Sequence, residues 1–167
     1  MSKARETVIF SHWNTMIEGL TASPKEFFAS VESSLKTKQL SDTKNSRVDW
    51  KEGGIISAKR EYLRVRRKKY AFDICGAPFG NGFFISWWLG EVPSLFWQFV
   101  LMIPILGPLL EKMFRPTTYY NVDTALMFQS LVHSAVLEVV DDLTKAHGLK
   151  SLAESDRKPI MKDFFKL

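Results

Sequence analysis

Eleven consecutive residues, Lys59 to Lys69, hold seven basic side chains and one acid. Lys59, Arg60, Arg64, Arg66, Arg67, Lys68 and Lys69 form a dense source of phosphate attraction. Strict alternation places Arg64 and Arg66 on one solvent face, with the lysines at a hairpin end. Three uses fit such a run. Lysine and arginine on an edge block strand-to-strand aggregation. Basic residues close to an anionic lipid surface gain ~1 kcal/mol each. A nucleic-acid backbone offers the same charge, although no recognisable nucleic-acid motif accompanies the run.

The catalytic inventory is thin. Cys75 is the one thiol, set in an apolar strand pattern, and nothing in the spacing supports a Cys75–His133 nucleophile–base pair. Glu138, Asp141 and Asp142 sit close together and could bind a cation, but they read more simply as a solvated helix face. His12, His133 and His147 lack metal-ligand spacing. The glycines between Gly76 and Gly82 match neither a P-loop nor a dinucleotide turn. No catalytic residue, metal or cofactor is implied, and the reading leans away from an enzyme.

From Val92 to Leu110 there are 19 residues without a charge. A straight helix of that length would reach roughly 28 Å, close to a bilayer core of ~30 Å. Pro93, Pro104, Gly107 and Pro108 break it. Leu95, Phe96, Trp97, Phe99, Val100, Leu101 and Ile103 would supply apolar contact with a membrane or a protein partner. A single crossing would put the preceding strands and the following helix on opposite sides of the bilayer, although each is the natural cover for the other. A re-entrant, interfacial or protein-packed segment keeps them together.

The 167 residues fit a single domain, long enough to bury a core without disulfides. One cysteine favours a reducing compartment. No apolar h-region follows the polar start, so no signal peptide is expected. The net charge of +5 belongs to the first half, because residues 1–91 carry 15 Lys/Arg against 10 Asp/Glu.

These residues need elements to position them. Residues 3–20 are weakly helical in pattern, with Val8, Ile9, Trp13, Ile17 and Leu20 apolar. Ser23, Pro24 and Glu26 form a capping-box start. Phe27, Phe28, Val31 and Leu35 then share one face of a helix from Pro24 to about Gln39. Over residues 46–90 the period changes to that of strands: Arg47 to Lys51, Tyr62 to Arg66, Tyr70 to Cys75 and Phe83 to Leu89. Ile55 to Lys59 is a further candidate, and Gly53-Gly54 is a turn. Lys68-Lys69 is a tight connection, and Gly76 to Gly82 a loop with Asn81-Gly82 as its turn signal. After the apolar, proline-broken 92–114, a long helix over 121–148 is capped by Asn121 or Asp123. Ala125, Phe128, Val132, Ala135, Val139, Leu143 and Ala146 form its apolar stripe, with Gln129 and His133 on the other side. The tail, 151–167, reads as a short helix carrying Ile160, Met161, Phe164 and Phe165. The fold expected is α+β: N-terminal helices and an antiparallel meander of about four strands, with the long helix packed on one sheet face.

Two stretches carry a resemblance. One is Trp50-Lys51-Glu52-Gly53-Gly54-Ile55-Ile56-Ser57-Ala58-Lys59-Arg60-Glu61-Tyr62-Leu63-Arg64-Val65, continuing through Phe72 to Gly80 and Ser86-Trp87-Trp88-Leu89. The other is Arg115-Pro116-Thr117-Thr118-Tyr119-Tyr120, through Leu126 to Gln129, to Glu138-Val139-Val140-Asp141-Asp142. Together they resemble an uncharacterised family of bacterial membrane-associated proteins over about residues 47–165. The resemblance implies bacterial origin and membrane contact, and brings no established activity and no catalytic residues. The family's middle segment is longer than Val92–Leu110, which argues against full spanning here. The expected function is a non-enzymatic membrane-associated or assembly module, cytoplasmic and extending to the inner face of the membrane. Alternatives are a soluble interaction or homo-oligomerisation domain, a nucleic-acid-binding module, and an enzyme using Cys75.

Overall fold

The computed structural model describes residues 8–40, 42–51, 59–92 and 118–161. Among these, six strands form one antiparallel sheet, and two helices cover one of its faces. The order along the chain is β1 (Val8–Glu18), α1 (Pro24–Thr37), β2 (Thr43–Lys51), β3 (Lys59–Arg67), β4 (Tyr70–Phe79), β5 (Gly82–Glu91), α2 (Tyr119–Ala146) and β6 (Ile160–Met161). In space the strands run β2-β3-β4-β5-β1-β6. The α+β class with an antiparallel sheet therefore holds. The sheet has six strands where about four were expected.

The largest correction is β1. Residues 8–18 are a strand paired along β5, not a helix. Their apolar residues recur every three or four positions and so imitate a helical stripe. The side chains that point inward are Ser11, Trp13 and Ile17, and a bulge between Ile9 and Ser11 resets the alternation. The core would have rejected a helix here, because β5 needs a partner for Trp87 and Phe83, and Trp13 and Ile17 provide it.

Helix α1 begins as its sequence indicates, with Pro24 at its first turn and Glu26 near its positive end. Ser23 is the N-cap, but its side chain makes no capping bond. Phe27, Phe28, Val31 and Leu35 are buried against the sheet, each large side chain contributing about 1.5–3 kcal/mol of transfer free energy. The loop expected over Gly76–Gly82 is mostly strand. β4 runs through Pro78 to Phe79, and the turn is the residue pair Gly80-Asn81, with Gly80 at φ 58°. Pro78 is tolerated because it lies beyond Ile74, where the β3–β4 ladder stops. Gly76 faces the helices, and a Cβ there would collide with the Phe27 ring.

Helix α2 spans 28 residues, about 42 Å. Its cap is Thr118, whose side chain accepts from the Asn121 amide, rather than Asn121 or Asp123. Its buried face includes the expected Ala125, Phe128, Val132, Ala135 and Val139, and also Gln129, which was expected outside. Gln129 is satisfied there by the Ser11 hydroxyl, at 2.5 Å. No helix among the described residues is long and apolar enough to cross a membrane. The tail also differs from expectation. A 3-10 turn at Glu154–Arg157 leads to Ile160 and Met161 in β6, paired with His12 and Ser11. Gly53-Gly54, Ile55 to Ala58, Phe164 and Phe165 lie outside the described residues.

Candidate functional site

The β3–β4 hairpin turns at Lys68-Lys69, with Arg67 opposite Tyr70. Lys68 sits at φ 52°, a conformation that favours glycine or asparagine. Arg66 faces outward with Lys44 directly opposite it on β2. Like charges in that relation repel. The Arg66 guanidinium is folded back on the turn, its Nε donating to the Lys68 carbonyl at 3.2 Å. Arg67 points to the helix side, and its Nε is buried without a hydrogen-bond partner. Lys69 is engaged otherwise: its ammonium lies 3.6 Å from Glu91 and 5.3 Å from the Tyr70 ring centroid.

The same end of the sheet holds Val92, at the start of the apolar stretch, and the start of α2, where the described residues resume. The Val92 amide, at the exit of β5, donates to the Lys69 carbonyl at 2.8 Å. The Tyr70 hydroxyl donates to the Asn121 carbonyl in the first turn of α2, also at 2.8 Å. Burial pushes the Tyr70 hydroxyl above its ordinary titration range. Beside this bond, Tyr119 and Tyr120 are 78% and 76% exposed. Leu95, Phe96, Trp97, Phe99, Val100, Leu101 and Ile103 lie outside the described residues.

The other basic residues of the run are elsewhere. Arg64 grips Asp73 through two bonds of 2.6 and 2.7 Å, with both side chains largely buried. That bond raises the Arg64 pKa further, against the opposing effect of burial. Arg60 is exposed at the far end of β3, near Tyr62. Lys59 opens β3 opposite Lys51. The seven cations thus divide into a cluster at the turn, a structural ion pair and a distant pair. Lys44 belongs with the turn cluster and was missed because it precedes the run by 15 residues. Counting outward from a turn at Lys68-Lys69 would have shown Arg64 opposite Asp73.

The catalytic candidates separate. Cys75 lies on the outer sheet face opposite Ser86, and His133 lies on α2, on the other side of the sheet. Burial pushes the Cys75 thiol up, a change only partly offset by Arg60, Ser86 and Tyr62. His133 is saturated: its Nδ1 accepts from Trp87 Nε1 at 3.0 Å, so Nε2 carries the proton and donates to the Arg157 carbonyl at 2.7 Å. Glu138 accepts from Ser34 and pairs with Lys38, which hold its carboxyl below the usual range. Asp141 pairs with Arg157. Among the described residues no cluster of His, Cys, Asp or Glu could hold a metal ion. An open trough of about 690 Å³ runs along α2 past His133 and Asp141, where His133, Glu138 and Asp141 are already engaged by Trp87 and the Arg157 carbonyl, by Ser34 and Lys38, and by Arg157.

No protein-family model and no curated protein sequence matches the chain. Among solved structures, the crystal structure of TTHA0849 from Thermus thermophilus is similar over 76% of this chain and 96% of that chain. The identity is 17% and the TM-score 0.26. Similarity at that level carries no argument about fold or function.

Proposed function

We propose that the chain is a non-enzymatic, membrane-associated module that meets an anionic bilayer with the end of the sheet bearing the β3–β4 turn. One relationship carries this reading. Val92, which begins the apolar stretch, and Thr118, the first described residue after it, both stand beside the basic turn, fixed by the Val92–Lys69 and Tyr70–Asn121 hydrogen bonds. The segment that carries Leu95 to Ile103 therefore leaves and rejoins the described fold beside the basic turn. That placement disfavours a single crossing, which would part the sheet from α2. A few basic residues at ~1 kcal/mol each are a weak anchor alone, and so is a short apolar segment; together they give stable attachment. The exposed Tyr119 and Tyr120 suit the headgroup level, where amphipathic rings concentrate. The cytoplasmic leaflet, with its anionic lipids, is the matching surface.

Vesicle flotation with and without phosphatidylserine tests the proposal. Flotation that strengthens with the anionic lipid is expected. A protein that stays at the bottom of the gradient with both compositions rules it out.

A second reading has its own observation. Tyr120, Met127 and Leu131 recur at helical spacing on the exposed side of α2, with Met127 64% exposed. Such a stripe fits a protein partner or a second copy. Mass measurement after detergent-free purification separates the two: a discrete oligomer that ignores vesicles favours association between copies.

A further inference from the structure

The basic run divides in space, and the division says which part meets phosphate. Lys44, Arg66, Arg67 and Lys68 gather at the turn, and among the described residues no carboxylate pairs with any of them. Two features of this cluster are unfavourable without an anion. Lys44 and Arg66 are cross-strand neighbours of like charge. Arg67 keeps a buried Nε–H with no acceptor. A third, Lys68 in the left-handed region, presents a cation at the tip where glycine would fit with less strain.

We infer that Lys44, Arg66, Arg67 and Lys68 form a seat for the phosphate of anionic lipid headgroups, so that the domain docks end-on. This rests on the membrane reading above and narrows it: the contact belongs to the turn, not to the whole run. Headgroup oxygens at the tip meet the exposed Lys68 ammonium and the partly exposed end of the Arg67 side chain. A headgroup on the outer sheet face screens Lys44 from Arg66. The nearby carboxylate, Glu91, shares a cross-strand row with Arg67 through Tyr70 and is paired with Lys69 at 3.6 Å. Arg64 is withdrawn by Asp73, and Arg60 stands at the opposite end of β3, about 20 Å from Arg66 at 3.3 Å per residue.

The experiment compares two charge-matched double variants of the full chain. One is Arg67→Gln with Lys68→Gln. The other is Arg60→Gln with Lys150→Gln, both exposed and away from the turn. Binding to vesicles with and without phosphatidylserine is measured by flotation, with thermal melting as the check on folding. At about fivefold per basic residue, the turn variant should lose roughly twenty-fivefold in affinity for anionic vesicles. It should keep the weak binding to neutral ones, and the control should bind as the parent does. Equal loss in both variants, or parent binding indifferent to phosphatidylserine, overturns the seat and leaves membrane association standing. Failure of the parent to bind any vesicle overturns both. Parallel titrations with inorganic phosphate and with single-stranded DNA identify the other sources of phosphate. A loss confined to either of those, with vesicle binding unchanged, also overturns the lipid assignment.

Discussion

Arg64 on β3 and Asp73 on β4 face each other across the hairpin and share two hydrogen bonds, of 2.6 and 2.7 Å, on the sheet face turned away from α1 and α2. Removing one partner strands a charge that is mostly shielded from water. Asp73→Ala should therefore cost about 3 kcal/mol, read as a lower midpoint in urea. Arg64→Met combined with Asp73→Leu should recover most of that loss, because no unpaired charge remains. The same double variant should bind anionic vesicles as the parent does, since Arg64 is already committed.

Lys68→Gly should separate stability from binding. Glycine removes the steric cost of φ 52°, partly offset by its greater freedom in the unfolded chain. A gain of up to about 1 kcal/mol is expected in chemical denaturation, together with weaker binding to phosphatidylserine vesicles.

His133 sets an acid limit. Its burial, opposed by the bond to the Arg157 carbonyl, lowers the imidazole below its ordinary 6.5. The unfolded chain takes up a proton near pH 6.5 and the folded chain only at lower pH. The stabilisation is complete above that pH and declines as pH falls toward the folded value. Protonation at Nδ1 would also oppose two donors, since Trp87 already donates there. Urea midpoints should fall between neutral pH and about pH 5.5, by at most ~1.4 kcal/mol per pH unit. His133→Asn should flatten that slope.

Gly76→Ala should be poorly tolerated. The added methyl meets the Phe27 ring and lies close to Phe83. Overpacking of this kind costs about 1–3 kcal/mol. A drop in melting temperature is expected, with partial rescue by Phe27→Leu.

Cys75 should resist thiol reagents in the native protein and react on unfolding. It is fully buried, and its thiol titrates above its ordinary range. Rapid labelling of the folded chain would reopen the enzyme reading.

Much of this architecture is visible in the residues. The Phe27, Phe28, Val31 and Leu35 face of α1, the alternation of β3 and β5 and the stripe of α2 all follow from period and capping. What escaped did so for physical reasons. In β1 a polar Ser11 points inward and a bulge shifts the phase, so its pattern mimics a helix. Gln129 looks like a solvent residue until Ser11 supplies its partner. Pro78 and three glycines suggested a loop, yet each occupies a strand or turn position where its backbone is suited. The charge of the Lys59–Lys69 run was legible as composition. Its partition was not, because that depends on partners across two strands, Lys44 and Asp73.

The placement of β1 between β5 and β6 has a consequence for the order of assembly. Val8 pairs with Glu91, and Trp13 with Trp87, so this early strand lacks its neighbour until some seventy further residues have left the ribosome, as the spacing of those pairs requires. Its other neighbour, β6, arrives later still. Ring closure over such long spans is slow. Until then Trp13 and Ile17 are exposed to solvent, and the nascent chain is a natural client for chaperones that hold apolar segments.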